Sequence, residues 1–251
     1  MITDSLAYWY PKIKGLDIPQ PKTEIIPLTD DELNDLCNEE IPNSVTVKVQ
    51  KVINEKFKIP VFIRTDLASG KHSWKDSCYY DGQSDLGKHI YEVVVFNLIA
   101  DIMGLPFKYL VVREFIQMDS KYTAFWGNMP VNPERRYFIE NGKVICHHPY
   151  WIKEAINNPS VNNWEELSDE MNIENEEEIK ILTGYAEQVS KVLDGFWSVD
   201  FCKAKDGKYI LIDLANGELS WHPDDCPFNR TRKVDLFKDS KPLTEEDIEF
   251  V

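Results

Sequence analysis

Apolar residues fall into short runs separated by polar punctuation, and the period of each run names its element. Thr23-Glu-Ile-Ile-Pro-Leu28 is a short extended run. Thr29, with Glu32 three residues on, predicts a capping box and a helix reaching Cys37 or Asn38. Lys58 to Arg64 reads as a strand that runs into a small-residue loop, Thr65 to Lys75. Between 84 and 103 the apolar positions Val93, Val94, Phe96, Leu98, Ile99 and Ile102 recur at helical spacing, and Gly104-Leu-Pro106 stops that helix. Tyr109 to Gln117 is a buried strand, and Glu134 to Cys146 is a hairpin about Asn141-Gly142. A further helix spans Ile179 to Leu193, with Ile179, Leu182, Tyr185, Ala186, Val189 and Val192 on one face. The aromatic group Tyr8-Trp9-Tyr10 reads as a packed lid on the N-terminal lobe, and residues 233–251 as a polar surface tail.

The stretch from Phe196 to Asn216 is a second hairpin, with Asp206-Gly207 as its turn signal. A two-residue loop there sets Asp200 directly across from Asp213; a longer loop shifts the register by one and separates them. Facing carboxylates destabilise a strand pair, so this placement asks for a cation, and Mg²⁺ fits two carboxylates plus water and phosphate oxygens.

Composition narrows the class. The 251 residues are 43% hydrophobic with seven Trp, enough for one large domain or several small lobes around a cleft. A net charge of −15 argues against a nucleic-acid surface. The apolar runs are too short to span a membrane, and Met1-Ile-Thr-Asp-Ser lacks a signal-peptide layout, so a cytoplasmic location is expected. The five cysteines, Cys37, Cys78, Cys146, Cys202 and Cys226, form no C-x-x-C pair and read as reduced packing residues. His147 and His148 point to opposite sides of a strand, so one ion does not take both.

The loop after Arg64 carries Ser69-Gly70 with Lys71 and Lys75 four residues apart, a flexible backbone with movable cations that suits polyphosphate, although no Walker A pattern is present. With that loop early and the aspartate pair late, the chain resembles the ATP-grasp enzymes, in particular the divergent clade that includes the cell division cycle protein 123 family and its bacterial and phage relatives. Trp9-Tyr-Pro11 followed by Ile25-Ile-Pro-Leu28 is similar to that clade's opening segment. Ser73-Trp-Lys75-Asp76 resembles its S-P-K-D motif, and Val111 to Ile116 its hinge strand. Glu134-Arg-Arg136-Tyr-Phe-Ile resembles its E-x-R-x-F-V strand, and Ser198-Val-Asp200 and Leu211-Ile-Asp213 its two metal strands.

The resemblance implies an α+β fold in which two α/β lobes with antiparallel sheets clamp a nucleotide. Its segments would be an N-terminal lobe (1–57), a central lobe with the phosphate loop (58–110), a C-terminal lobe with the metal site (111–232) and the tail (233–251). It implies that Arg64 and Lys75 contact phosphates with Lys71 beside them. The strand Arg113, Glu114, Phe115, Ile116 would bind the adenine edge. Arg136 would face the transferred phosphate, with Lys75 as its catalytic companion. Asp200 and Asp213 would hold Mg²⁺, and Asn216 would complete the shell. One departure matters: the family carries Asn two places after the second acid, where this chain has Ala215, so either a bulge brings Asn216 onto the metal or Glu218 substitutes. The implied chemistry is ATP-dependent carboxylate–amine ligation on a peptide or protein. The alternative is an ATP-binding protein that recognises a partner without turnover. The loop Gly217 to Asp225, with Glu218, Trp221 and His222, is where an acceptor or partner would be recognised.

Overall fold

The computed structural model describes residues 4–100 and 107–230. The proposed helix stop at 104–106 and the tail at 233–251 lie outside them. Helix α1 (Leu6–Ile13) is capped by the Ser5 hydroxyl, which accepts from the Ala7 amide. After β1 (Thr23–Pro27), the Thr29–Glu32 capping box starts α2 (Asp30–Cys37) as the sequence indicates. Helix α3 (Asn43–Lys56) precedes β2 (Val61–Thr65), a 3-10 turn at Lys71–Ser73, β3 (Tyr79–Tyr80), α4 (Leu86–Ala100) and β4 (Tyr109–Glu114).

These strands form one antiparallel sheet in the order β1-β4-β2-β3. Alternation sorts its faces. Val61, Ile63, Leu110 and Val112 pack with Leu36, Val45, Val49, Ile53, Ile90 and Val93 of α2, α3 and α4. Phe62, Arg64, Val111 and Arg113 occupy the other face.

A small hairpin follows, β5 (Tyr122–Ala124) and β6 (Met129–Val131). Then come β7 (Glu134–Glu140), β8 (Lys143–Pro149), α5 (Trp164–Asn172), α6 (Glu176–Ser190), β9 (Trp197–Lys203) and β10 (Tyr209–Asn216). The second sheet runs β10-β9-β7-β8, again antiparallel. Tyr137, Ile139, Val199, Phe201, Leu211 and Leu214 bury one face of it against Leu182, Ala186 and Val189 of α6.

Two expectations about organisation fail. Trp9 and Ile13 pack in the core of the second sheet, so the aromatic segment covers that sheet and not the N-terminal lobe. The boundaries at 57 and 110 do not separate cores either, because backbone ladders join β1 (in 1–57), β2 (in 58–110) and β4 (ending at 114) into one sheet.

Both large hairpins depart from simple turn arithmetic. At Asn141-Gly142, φ of 51° and 80° fits the tight turn, and Glu140 faces Lys143. The register then slips between Phe138 and Ile139, so Arg136 faces His148 and not the His147 that the turn alone implies. At the other hairpin the loop is longer: Ala204 N–H donates to Lys208 O and Gly207 N–H to Ala204 O, with Gly207 at φ 89°. Leu211 therefore faces Phe201, one step off the two-residue register, and a bulge between Leu211 and Asp213 restores it so that Asp213 faces Asp200.

Candidate functional site

The two sheets turn their charged faces toward a shared cleft of about 680 Å³. Strands β8, β7, β9 and β10 set His148, Arg136, Asp200 and Asp213 in one cross-sheet row. Arg136 grips Asp200 with two parallel bonds, Nε to Oδ1 and Nη2 to Oδ2, each 2.8 Å. Arg64, reaching over from β2, donates from Nη1 to Asp213 Oδ2 at 2.9 Å. The cations that offset the facing carboxylates are thus two arginines, one from each sheet.

Arg113 is 4% exposed, donates from Nε to Thr23 Oγ1 at 3.1 Å, and reaches across the cleft to the carbonyl of Ile212. Ile212 is the residue extruded by the β10 bulge, which explains why its carbonyl is available to another sheet. Burial and the nearby Arg64 push Arg113 down to about 10, with Asp213 opposing. Its Nη2 is buried without a hydrogen-bond partner.

Lys71, on the 3-10 turn, donates to Tyr150 Oη at 3.4 Å and lies 3.9 Å from Glu134 Oε2. Burial works against its charge, but Tyr150, Glu134 and Asp200 more than offset this and hold it above the usual ammonium range. Glu134 is 5% exposed, and burial raises its carboxyl against the pull of Lys71. Tyr150 lies between two cations, with Lys71 Nζ and the Arg136 guanidinium each 4.5 Å from its ring centroid. The loop that carries Lys71 is clamped from the far side. Gly127 N–H donates to His72 O at 3.0 Å, and a Cβ at Gly127 would sit 2.4 Å from the Trp74 amide nitrogen.

Lys75 is exposed at the cleft, and Glu114 stands at its mouth, accepting from Lys22 N–H at 3.3 Å. Phe115 and Ile116 line an apolar end, where Phe115 packs edge-on to Tyr79 at 5.1 Å beside Phe62 and Trp74. The cleft therefore gathers Arg64, Lys71, Lys75, Arg113, Glu114, Phe115, Ile116, Arg136, Asp200 and Asp213. It does not gather Asn216: its bulge is at Ile212, two residues too early, so Ala215 lines the cleft and Asn216 Oδ1 turns back to accept Glu218 N–H at 2.8 Å. Glu134 and Tyr150 had no assigned role. The signal for Glu134 was the i, i+2 spacing to Arg136, which puts both on one face of β7.

The donor set suits a polyphosphate with a hard cation. Five cationic side chains, Arg64, Lys71, Lys75, Arg113 and Arg136, line the cleft, and Arg113 carries a buried donor with no acceptor. The carboxylate oxygens of Asp200 and Asp213 match the oxygen preference of Mg²⁺, and their arginine bonds leave lone pairs on each.

No curated protein matches the chain. Solved structures resemble it at low identity. VanG D-Ala:D-Ser ligase from Enterococcus faecalis matches at 12% identity and TM-score 0.49, over 85% of this chain and 52% of that one. N5-carboxyaminoimidazole ribonucleotide synthetase from Thermotoga maritima matches at 11% and 0.44, over 84% and 41%. The ATP-grasp ligase PsnB, solved with precursor peptide PsnA2 and AMPPNP, matches at 12% and 0.42, over 84% and 48%. The chain thus spans about half the length of these structures. The finer likeness to cell division cycle protein 123 rests on the sequence motifs alone. A family model covers residues 49–234, from within α3 through β10 and so every strand of the two sheets except β1, and the protein belongs to that family, the third family of the R-two-K clade of ATP-grasp domains.

Proposed function

We propose that the cleft binds Mg-ATP and uses it to join a carboxylate to an amine on a peptide or protein. The observation that carries this reading is the division of charge between the walls: Arg64, Lys71, Lys75 and Arg113 on one side, and the facing Asp200 and Asp213 with Arg136 on the other. Adenine would lie against Phe115 and Ile116, with the Arg113 to Ile116 backbone along its edge. Lys71, kept protonated by its acidic neighbours, would hold phosphate oxygens together with Arg64 and Lys75. Asp200 and Asp213 would hold Mg²⁺, which when bound offsets charge on the β- and γ-phosphates. Arg136, anchored by Asp200, would stabilise the phosphoryl group as it passes to the acceptor carboxylate, so that catalysis is mostly positioning and charge neutralisation. Exposed Trp126 and Trp221, on loops that border the cleft, offer faces for a peptide. A cytoplasmic setting would supply ATP and Mg²⁺.

A second reading has its own observation. Ala215 occupies the cleft position where the family pattern has Asn, and both aspartates already have arginine partners, which favours a protein that holds ATP to recognise a partner without turnover.

Thermal unfolding with MgATP, against ATP in EDTA, tests the shared premise. Nucleotide at about a hundredfold over its dissociation constant stabilises by about 2.7 kcal/mol. Asp200→Asn should remove the Mg²⁺-dependent part of that gain. Absence of stabilisation by any nucleotide ends both readings. Acceptor-dependent ADP release supports the ligase; binding without turnover across a broad acceptor panel supports partner recognition.

A further inference from the structure

Beyond the nucleotide cleft, the outer end of the second sheet carries a different chemistry. Cys146 and His148 alternate onto one face of β8, and His222 and Cys226 come from the loop after β10. Their ligand atoms all lie within 4.8 Å of one another. The Cys146 Sγ to His222 Nε2 distance is 3.0 Å, and the His148 and His222 rings meet edge to face with centroids 4.9 Å apart. His148 Nε2 and His222 Nδ1 are buried with no hydrogen-bond partner. Two buried imidazole nitrogens without partners, beside two free thiols, are costly unless something binds them.

The loop itself makes the same point. Leu219, Trp221 and Phe228 are 53%, 41% and 46% exposed, whereas His222 is 3% exposed. Its large apolar residues face out while His222 faces in and Cys226 is half-buried, so burial of its large apolar side chains is not what holds its middle. A short turn, Cys226 N–H to Pro223 O at 3.1 Å, brings Cys226 round to the side of His222.

We infer that Cys146, His148, His222 and Cys226 bind one structural Zn²⁺ ion. Two sulfur and two imidazole ligands are a tetrahedral zinc set, and four protein ligands leave no open position for substrate, which makes the site structural. Zinc–sulfur and zinc–nitrogen bonds of about 2.3 and 2.0 Å set ligand-to-ligand edges of about 3.3 to 3.8 Å, a small adjustment from the present cluster. Binding converts two thiols to thiolates and releases two protons, so the ion and its ligands are neutral together. The ion would staple the loop to β8 next to the cleft: the carbonyl of Trp221, one residue before His222, accepts from Arg136 Nη1 at 3.4 Å, and His148 is the cross-strand neighbour of Arg136.

The test needs no nucleotide. Full-length protein reconstituted with zinc under reductant and then desalted should hold one zinc per chain. Cys146→Ser and Cys226→Ser should each lower zinc affinity at least a hundredfold, whereas Cys37→Ser and Asp213→Asn retain the metal. Cobalt substitution should give the intense visible bands of tetrahedral thiolate ligation, lost in both cysteine variants. Should those variants fail to fold, stripping zinc from the unmodified chain with a chelator should lower its melting temperature and expose two more thiols to a thiol reagent. Three results overturn the inference: less than a tenth of a zinc per chain after reconstitution, zinc retained in both cysteine variants, or two thiols lost to a Cys146–Cys226 disulfide with no metal bound.

Discussion

The two four-stranded sheets are alike in size and antiparallel order and opposite in the charge they turn to the cleft. The first presents Arg64 and Arg113, both nearly fully buried; the second presents Glu134, Asp200 and Asp213 with a single Arg136. Neither face is balanced alone. Arg64 finds Asp213, and Arg113 finds the Ile212 carbonyl, each on the other sheet. On the proposed function, an anionic ligand would meet arginines whose desolvation was completed on folding, which is how a site avoids reorganising when it binds.

The sharpest way to break this complementarity is Arg113→Ala. It leaves Thr23 and Ile212 without a donor and opens a cavity between the sheets, and it should cost about 3 kcal/mol, read as a lower urea midpoint. A cost under about 1 kcal/mol would mean that the sheets do not depend on this contact. Gly127→Ala acts at the other junction, where the hairpin of β5 and β6 grips the lysine loop. Its Cβ meets backbone that cannot rotate away, so a loss of about 2 kcal/mol is expected. Weakened nucleotide binding should accompany that loss, because Lys71 moves with the loop; an unchanged melting temperature would show that the loop is not clamped.

The smallest effect contrasts two buried glutamates. Burial of Glu32 raises its carboxyl, but Lys48, the Thr29 amide and Ser44 overcome this and hold it at about 2. Its stabilisation is fully present above its unfolded value near pH 4.5 and is lost as pH falls toward 2. Because Lys48 is partly exposed, Glu32→Gln should cost only about 1 to 2 kcal/mol at pH 7. Glu134 is raised instead, so the folded chain binds its proton more tightly than the unfolded one, and its contribution falls as pH rises above that unfolded range. Glu134→Gln should leave stability at pH 7 within about 1 kcal/mol and remove that opposite slope. Urea midpoints from pH 3 to 8 separate the two.

Local chemistry made much of this legible. The capping box of α2, the apolar face of α6 and the alternation in β4 state their structure over a few residues, whereas the roles of the cleft residues came from the family resemblance: alternation alone would have turned one of Arg113 and Glu114 away, yet both line the cleft. Helix α3 was not read, because the β-branched run Val45-Thr46-Val47 blurs its helical period and only Val45, Val49 and Ile53 are fully buried. The facing of Asp200 and Asp213 was reached through a two-residue turn that does not exist; a longer loop and a bulge cancel each other. The same logic misplaced the neighbour of Arg136, since the bulge in the β7–β8 pair has no counterpart at its turn. Bulges answer to sheet twist and distant contacts, which no short window contains. Asn216 failed for that reason too. The Cys/His cluster was missed because its ligands come in two pairs about 75 residues apart in sequence, 146 with 148 and 222 with 226, and no local motif joins them.

The bulge at Ile212 has a consequence for mutational scanning. The oxygen that Arg113 grips belongs to the main chain, so every substitution at 212 keeps it, and a side-chain scan should rank the position as tolerant. Deleting Ile212 is different. Leu211 would still face Phe201, and Asp213 would follow directly opposite Asp200, so the acidic pair survives while the carbonyl offered to the first sheet disappears. A one-residue change in chain length should therefore resemble Arg113→Ala, at a site where the side chains look interchangeable.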